Sequence, residues 1–220
     1  MKEGKKMKNR KKLFVSLISL TAFLLWTLLV RLVDVQPIGP LGSDVGFARL
    51  NRFIHNLTGV HMVLYTLTDW LSLIPVAVAL AFAVLGLVQW IRRKHILRVD
   101  RSILSLGVFY IVVMGIYLFF ESVVINYRPV LIQGCLEASY PSSTTTLVMC
   151  VMITALKQLN LRVKSSVLRL CLNTLIILFT VFMVTARLFS GVHWITDIIG
   201  GTLLSFGLVT MYSLTVEKLQ

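Results

Sequence analysis

Residues 101–121 read RSILSLGVFYIVVMGIYLFFE, nineteen residues without a charge between Arg101 and Glu121. A helix of that length is about 28 Å long, close to the roughly 30 Å hydrocarbon thickness of a bilayer. The run is continuously apolar rather than alternating, which excludes a barrel strand, and it has no polar face to offer water. Five more uncharged runs surround it, at 13–30, 70–91, 138–156, 170–186 and 198–216, each 17 to 22 residues long. Backbone in lipid must satisfy its own hydrogen bonds, and segments this apolar do so only as helices. The expected fold class is therefore all-α: a polytopic membrane protein, one six-transmembrane-helix bundle over residues 1–220. A composition that is 57% hydrophobic, with a mean hydropathy of +0.85, excludes both disorder and a soluble globular core.

The 22 basic and 9 acidic residues leave a net charge of +13, which in a soluble protein would point to nucleic acid. Here the basic residues alternate with the spans. Seven stand in a basic tail at 1–12, five between Arg92 and Arg101, four between Lys157 and Arg169, and one at Lys218. Only Arg31, Arg49, Arg52, Arg128 and Arg187 occupy the other connections. The positive-inside rule then places both termini in the cytoplasm and the connections 31–69, 121–143 and 187–197 outside. Topology accounts for the charge without nucleic acid, and the expected location is the plasma membrane of a bacterium. No small-x-small cleavage site follows 13–30, so the first helix is expected to be retained. Cys135, Cys150 and Cys171 lack metal-type spacing, and two of them fall within spans, so no internal disulfide is expected.

The connection 31–69 opens with Pro37, Gly39, Pro40 and Gly42, after which Ser43 or Asp44 can cap a helix. Phe47, Leu50, Phe53, Ile54 and Leu57 then recur at helical spacing opposite Arg49, Asn51, Arg52 and Asn56, the pattern of a helix lying in the membrane interface. Such a helix either packs on the bundle, the preferred reading, or serves as a lid for a lipid. His55 and His61 fall here as interfacial residues.

Ionisable side chains at the ends of lipid-embedded helices are costly unless they serve a site, and three outer junctions collect them. The third span leaves at Glu121 and leads to Arg128-Pro129. The fourth begins after Tyr140-Pro141-Ser142-Ser143-Thr144, and the fifth and sixth are joined through Arg187-Leu188-Phe189-Ser190-Gly191-Val192-His193-Trp194-Ile195-Thr196-Asp197. His193 and Asp197, four apart, share a face if helical, so Asp197 can fix the imidazole tautomer while the other ring nitrogen attacks. A turn at Ser190-Gly191 would put His193 in the first helical turn, where the dipole favours neutral imidazole. Arg128 and Arg187 suit phosphoryl oxygens, since the guanidinium fork binds them in pairs. Pro141 at a first helical position would leave the amides after it free for an anion. The expected catalytic set is His193, Asp197 and Arg187; the phosphate-binding set is Arg128, Arg187, Ser142, Ser143 and Thr144, with Glu121 and Tyr140 as modulators. No cluster has metal-ligand spacing, so no metal or cofactor is expected.

These blocks resemble the type 2 phosphatidic acid phosphatase family, within the acid phosphatase and vanadium haloperoxidase superfamily, from the third span to the sixth. That family's signature is a Lys, six residues and Arg-Pro; a Pro-Ser-Gly-His; and a Ser-Arg, five residues, His, three residues and Asp. The third block stands here as Ala186-Arg187, five residues, His193, three residues, Asp197. The first reads Glu121, six residues, Arg128-Pro129, and the second Pro141-Ser142-Ser143-Thr144. The resemblance implies a six-helix fold, a phosphorylated lipid substrate, attack by His193 to give a phosphohistidine, orientation by Asp197, and phosphoryl binding by Arg128, Arg187, Ser142 and the amides after it. Glu121 replaces the family's lysine, lowering the charge offered to phosphate. Thr144 replaces the histidine that protonates the leaving group, so a diphosphate, whose leaving phosphate has a pKa of about 6, is favoured over an ester that expels an alkoxide. Glu121, Glu137 or His61 are other proton sources. The alternative to an enzyme is a non-catalytic member of the fold that binds phospholipid or a partner protein.

Overall fold

The computed structural model describes residues 2–219. Its helices are α1 (Lys2–Leu32), α2 (Ala48–Thr58), α3 (Met62–Leu71), α4 (Leu73–Arg93), α5 (Arg101–Ser122), α6 (Ser143–Arg162), α7 (Ser166–Phe189) and α8 (Ile195–Leu219). Six stretches are long and apolar enough to cross a bilayer: Lys6–Leu32, Met62–Arg93, Arg101–Ser122, Ser143–Arg162, Ser166–Phe189 and Ile195–Leu219. The protein is an all-α, polytopic membrane protein with a six-helix bundle. The second span begins at Met62 rather than at 70, because α3, with Asp69 in its last turn, runs on through Ser72 into α4. The Asp69 carboxylate is held there by Arg187, 3.8 Å away.

α6 and α8 form the buried centre of the bundle; α8 packs on α1, α5 and α6, and α6 also packs on α4 and α7. Lipid supplies no hydrophobic drive between helices, so close approach and hydrogen bonds must hold them. On the α1–α8 seam Ser16 Oγ donates to the Gly207 carbonyl and Ser19 Oγ to that of Leu203, each at 2.8 Å. Near its other end, Trp26 Nε1 donates to the Thr196 carbonyl at 3.1 Å. At one end of the bundle Glu217 is paired with Lys12 and Lys157, and Asp100 with Arg93 and Arg162. The three motif-bearing junctions meet at the opposite end.

The connection after α1 departs from expectation in two ways. Neither Ser43 nor Asp44 caps α2. Phe47 precedes the helix with φ 49°, and Asp34, thirteen residues upstream of it, accepts the first-turn N–H groups: Ala48 N to its carbonyl at 2.9 Å and Arg49 N to Oδ2 at 2.8 Å. One residue of the polar face of α2 also turns inward, while Arg49, Arg52 and Asn56 stay exposed. Asn51 is buried, donating to the Gly46 carbonyl at 2.7 Å and to Thr196 Oγ1 at 3.0 Å, while Phe53 and Leu57 point outward. Polar docking wins because Asn51 satisfies buried groups of the α8 end that would otherwise be orphaned.

Two glycines permit close contacts near the site. Gly191 has φ +70°, and a Cβ on it would lie 1.9 Å from the Gly59 carbonyl oxygen. Gly200 faces the Tyr140 ring, where a Cβ would come within 2.6 Å. Overpacking of this kind costs about 1–3 kcal/mol. Gly200→Ala is expected to lower the unfolding temperature in detergent by several degrees; Gly115→Ala, with nothing within 4 Å of the new methyl, is expected not to.

Candidate active site

α8 begins at Ile195, so His193 stands in the turn before the helix and not in its first turn, as the spacing predicts. Asp197 is the third residue of α8. Its Oδ2 accepts the Trp194 N–H at 2.9 Å, the reach-back half of a capping box. Its Oδ1 accepts from Asn126 Nδ2 at 3.4 Å, and its carbonyl accepts the Ser142 N–H at 3.1 Å. His193 Nδ1 is 3.6 Å from Asp197 Oδ2, a neighbour beyond hydrogen-bond length. On the other side of the ring, Arg128 Nη1 donates to His193 Nε2 at 3.3 Å, which leaves the ring proton on Nδ1, facing the carboxylate.

The Arg128 Nε lies 3.0 Å from Glu137 Oε2, and a backbone bond from Arg128 N to the Glu137 carbonyl, also 3.0 Å, closes this narrow hairpin-like loop. Arg187 is buried. Its Nη1 donates to Thr68 Oγ1 at 3.0 Å, its Nη2 is 3.8 Å from Asp69, and its guanidinium lies 4.8 Å from the Tyr65 ring centre. Both arginines line one cavity of about 580 Å³, with Asp69, Glu121, Ser143 and Thr144 at its polar end. His193 lies behind Arg128, 2% exposed, and Asp197 is fully buried.

At the start of α6, Ser142 is the cap, its Oγ accepting from Thr145 N at 3.4 Å, and Pro141 precedes it. The proline is thus outside the helix, and the first-turn N–H groups not taken by a cap are those of Ser143 and Thr144. Tyr140 is packed between Phe23 and Phe120, and its hydroxyl is 2.7 Å from Thr27 Oγ1. Glu121 accepts the Tyr117 hydroxyl at 3.2 Å, so the acids set against the arginines are Glu137 and Asp69 instead. His61 turns to the Thr58 carbonyl at 2.9 Å, whereas His55 Nε2 is 3.1 Å from the Gly191 carbonyl and its ring packs on Trp194. Among the described residues no three His, Cys, Asp or Glu side chains converge as a metal would require.

Sequence reasoning missed Asn126, Glu137 as the Arg128 partner, and the Tyr65–Thr68–Asp69 cradle of Arg187. Asp69 carried a usable signal, a lone charge beside an apolar run. Asn126 carried none, since its role comes from the fold of 123–142 against Asp197.

A six-helix bundle with a buried polar cluster at one end defines an integral membrane protein with a candidate site at one end of its spans. Residues 119–220 match the family model of the PAP2 superfamily. The bundle is similar to the crystal structure of the first transmembrane PAP2-type phosphatidylglycerolphosphate phosphatase from Bacillus subtilis. The TM-score is 0.59 at 15% identity, over 94% of this chain and 98% of that one, a likeness of fold. No curated protein matches the chain.

Burial, and after it the charges of Arg128 and Arg187, press the His193 imidazole well below its ordinary pKa near 6.5. The folded ring is therefore neutral at pH 6.5 and takes a proton only at lower pH. In ¹⁵N-histidine spectra, His193 is expected to remain neutral through pH 6.5, and Arg128→Gln to move its titration to higher pH. Titration of wild-type His193 at or above 6.5 would contradict this electrostatic picture.

Proposed function

We propose that the protein is an integral membrane lipid phosphatase that removes phosphate from a lipid phosphate or polyprenyl diphosphate through a phosphohistidine, without a metal. The observation that carries the proposal is the stacking order of the site: two arginines on one cavity, His193 behind one of them at 3.3 Å, and Asp197 behind His193. The segregation of basic residues to the opposite end of the bundle supports an extracytoplasmic site and cytoplasmic termini.

In this mechanism phosphoryl oxygens take the guanidinium groups of Arg128 and Arg187 and the Ser143 and Thr144 N–H groups. Arg128 is thereby drawn off Nε2, which attacks phosphorus as the bond to the leaving oxygen breaks. The imidazolium that forms keeps its Nδ1 proton toward Asp197, whose negative charge stabilises it. Water then attacks the phosphohistidine, releasing phosphate and restoring neutral His193. Thr144 lines the cavity where a proton for the leaving group is needed, and a hydroxyl is a poor acid; general acids typically contribute ~10²–10⁴-fold. A departing phosphate with a pKa of about 6 tolerates that lack. An alkoxide, whose acid is near water's ~15.7, does not. A second reading, a non-catalytic phospholipid binder, is favoured by one observation: Arg128 occupies the nucleophilic nitrogen in the unliganded site.

The test is phosphate release by the purified protein in detergent from a polyprenyl diphosphate and from phosphatidate, with His193→Ala as the blank. Release from the diphosphate well above the blank, and less from phosphatidate, is the expected result. Thr144→His should raise phosphatidate turnover by at least about tenfold and diphosphate turnover by much less. Release from neither lipid, or His193→Ala as active as wild type, would overturn the proposal.

A further inference from the structure

The cavity that begins at the arginines does not end near them. It descends between α4, α5 and α6 past Val76, Leu80, Val113 and Met114, mostly apolar below its outer end. A second, apolar cavity of about 400 Å³ continues along α4 and α5 toward the basic end, bounded by Gly86, Trp90, Leu104 and Gly107. The two share the side chains of Ala79, Ala83 and Tyr110. From Glu121 to Leu104 along α5 the pair extends about 25 Å at 1.5 Å per residue, most of the depth of the hydrocarbon.

The shared residues form the junction, or waist, between the two cavities. Ala79 and Ala83, one turn apart, present only methyl groups on α4. The Tyr110 hydroxyl is 3.1 Å from Thr154 Oγ1 on α6, which fixes the ring opposite them. In the inner cavity Gly107 lies on an open wall, where a Cβ would meet nothing within 4 Å, whereas a Cβ on Gly86 would come 3.1 Å from Ile103 Cγ2.

Resting on the lipid-phosphatase reading, we infer that this groove holds the hydrocarbon of the substrate as one long chain, and that the waist at Ala79, Ala83 and Tyr110 measures its length. The occupant is a single-chain lipid of the polyprenyl type. Continuity with the arginine-lined cavity puts the chain's head at the phosphoryl site. The depth of the groove, most of the hydrocarbon thickness, suits one long chain. A short chain ends in the outer cavity; a long one passes the waist and gains the apolar contacts of the inner one. Filling the waist would therefore penalise long chains selectively. The penalty for blocking apolar contacts in such a pocket lies in the range of about 10–200-fold.

The experiment compares farnesyl diphosphate with undecaprenyl diphosphate in the same detergent, reading both equilibrium binding of the radiolabelled lipids and phosphate release. Ala83→Phe fills the waist on an open face of α4. Gly107→Leu fills the inner cavity alone, and Ala81→Phe, outside both cavities, is the control. The undecaprenyl-to-farnesyl ratio, in binding and in kcat/KM, is expected to fall about tenfold or more in the first two variants and to stay at the wild-type value in the control. An unchanged ratio in both groove variants, with phosphate release intact, would overturn the chain-length inference and leave the phosphatase reading standing. A ratio that falls in binding while the wild type releases no phosphate would support the groove assignment and overturn the phosphatase reading instead.

Discussion

The carboxylate of Asp197 is fully buried, and a buried charge is tolerated only when its oxygens are occupied. Meeting that condition organises the outer end of the molecule. The Trp194 N–H takes one oxygen and so fixes where α8 starts; Asn126 takes the other and anchors the 123–142 loop. The carbonyl of the same residue holds the Ser142 N–H and so sets the start of α6 against α8. With those three segments tied to one residue, His193 is left facing the carboxylate on one side and Arg128 on the other. The same group that builds the junction thus lies beside the candidate nucleophile, 3.6 Å from its Nδ1.

Electrostatic balance explains the rest of the site. Two guanidinium groups at the end of a membrane bundle need counter-charges, and Glu137 and Asp69 supply them from its more exposed rim. Arg128 and Arg187 are held in place without a substrate, and each retains N–H capacity toward the cavity. Glu121 is engaged with Tyr117 rather than with either arginine. Glu121 therefore shapes the rim of the cavity without cancelling the charge on the arginines.

The six spans were legible because uncharged length is a direct consequence of bilayer thickness, and one error in them is instructive. Asp69 divided an apolar stretch on paper, yet in the fold it lies in the last turn of α3, which leads straight into α4, with Arg187 3.8 Å away. Arg128, Arg187, His193 and Asp197 were legible through their spacing. Their partners Asn126, Glu137 and Thr68 were not, because each is brought in by a tertiary contact that no periodicity encodes. The helix at 48–58 shows the same limit. Its apolar repeat was readable, but Asn51 docks it through buried hydrogen bonds that outweigh the pattern. Likewise the outer and inner cavities along α4 and α5 arise from small residues whose openness depends on how two helices diverge.

The account stands on phosphoryl transfer to His193, and trapping that species is its most direct measurement. The purified protein would be mixed with a ³²P-labelled polyprenyl diphosphate, quenched at alkaline pH within milliseconds to seconds, digested, and sequenced by mass spectrometry. The account predicts transient label on the His193 imidazole, lost on continued incubation as free phosphate appears and absent from His193→Ala. Phosphate appearing with no label on the protein at any time, or with the label on another residue, would contradict it.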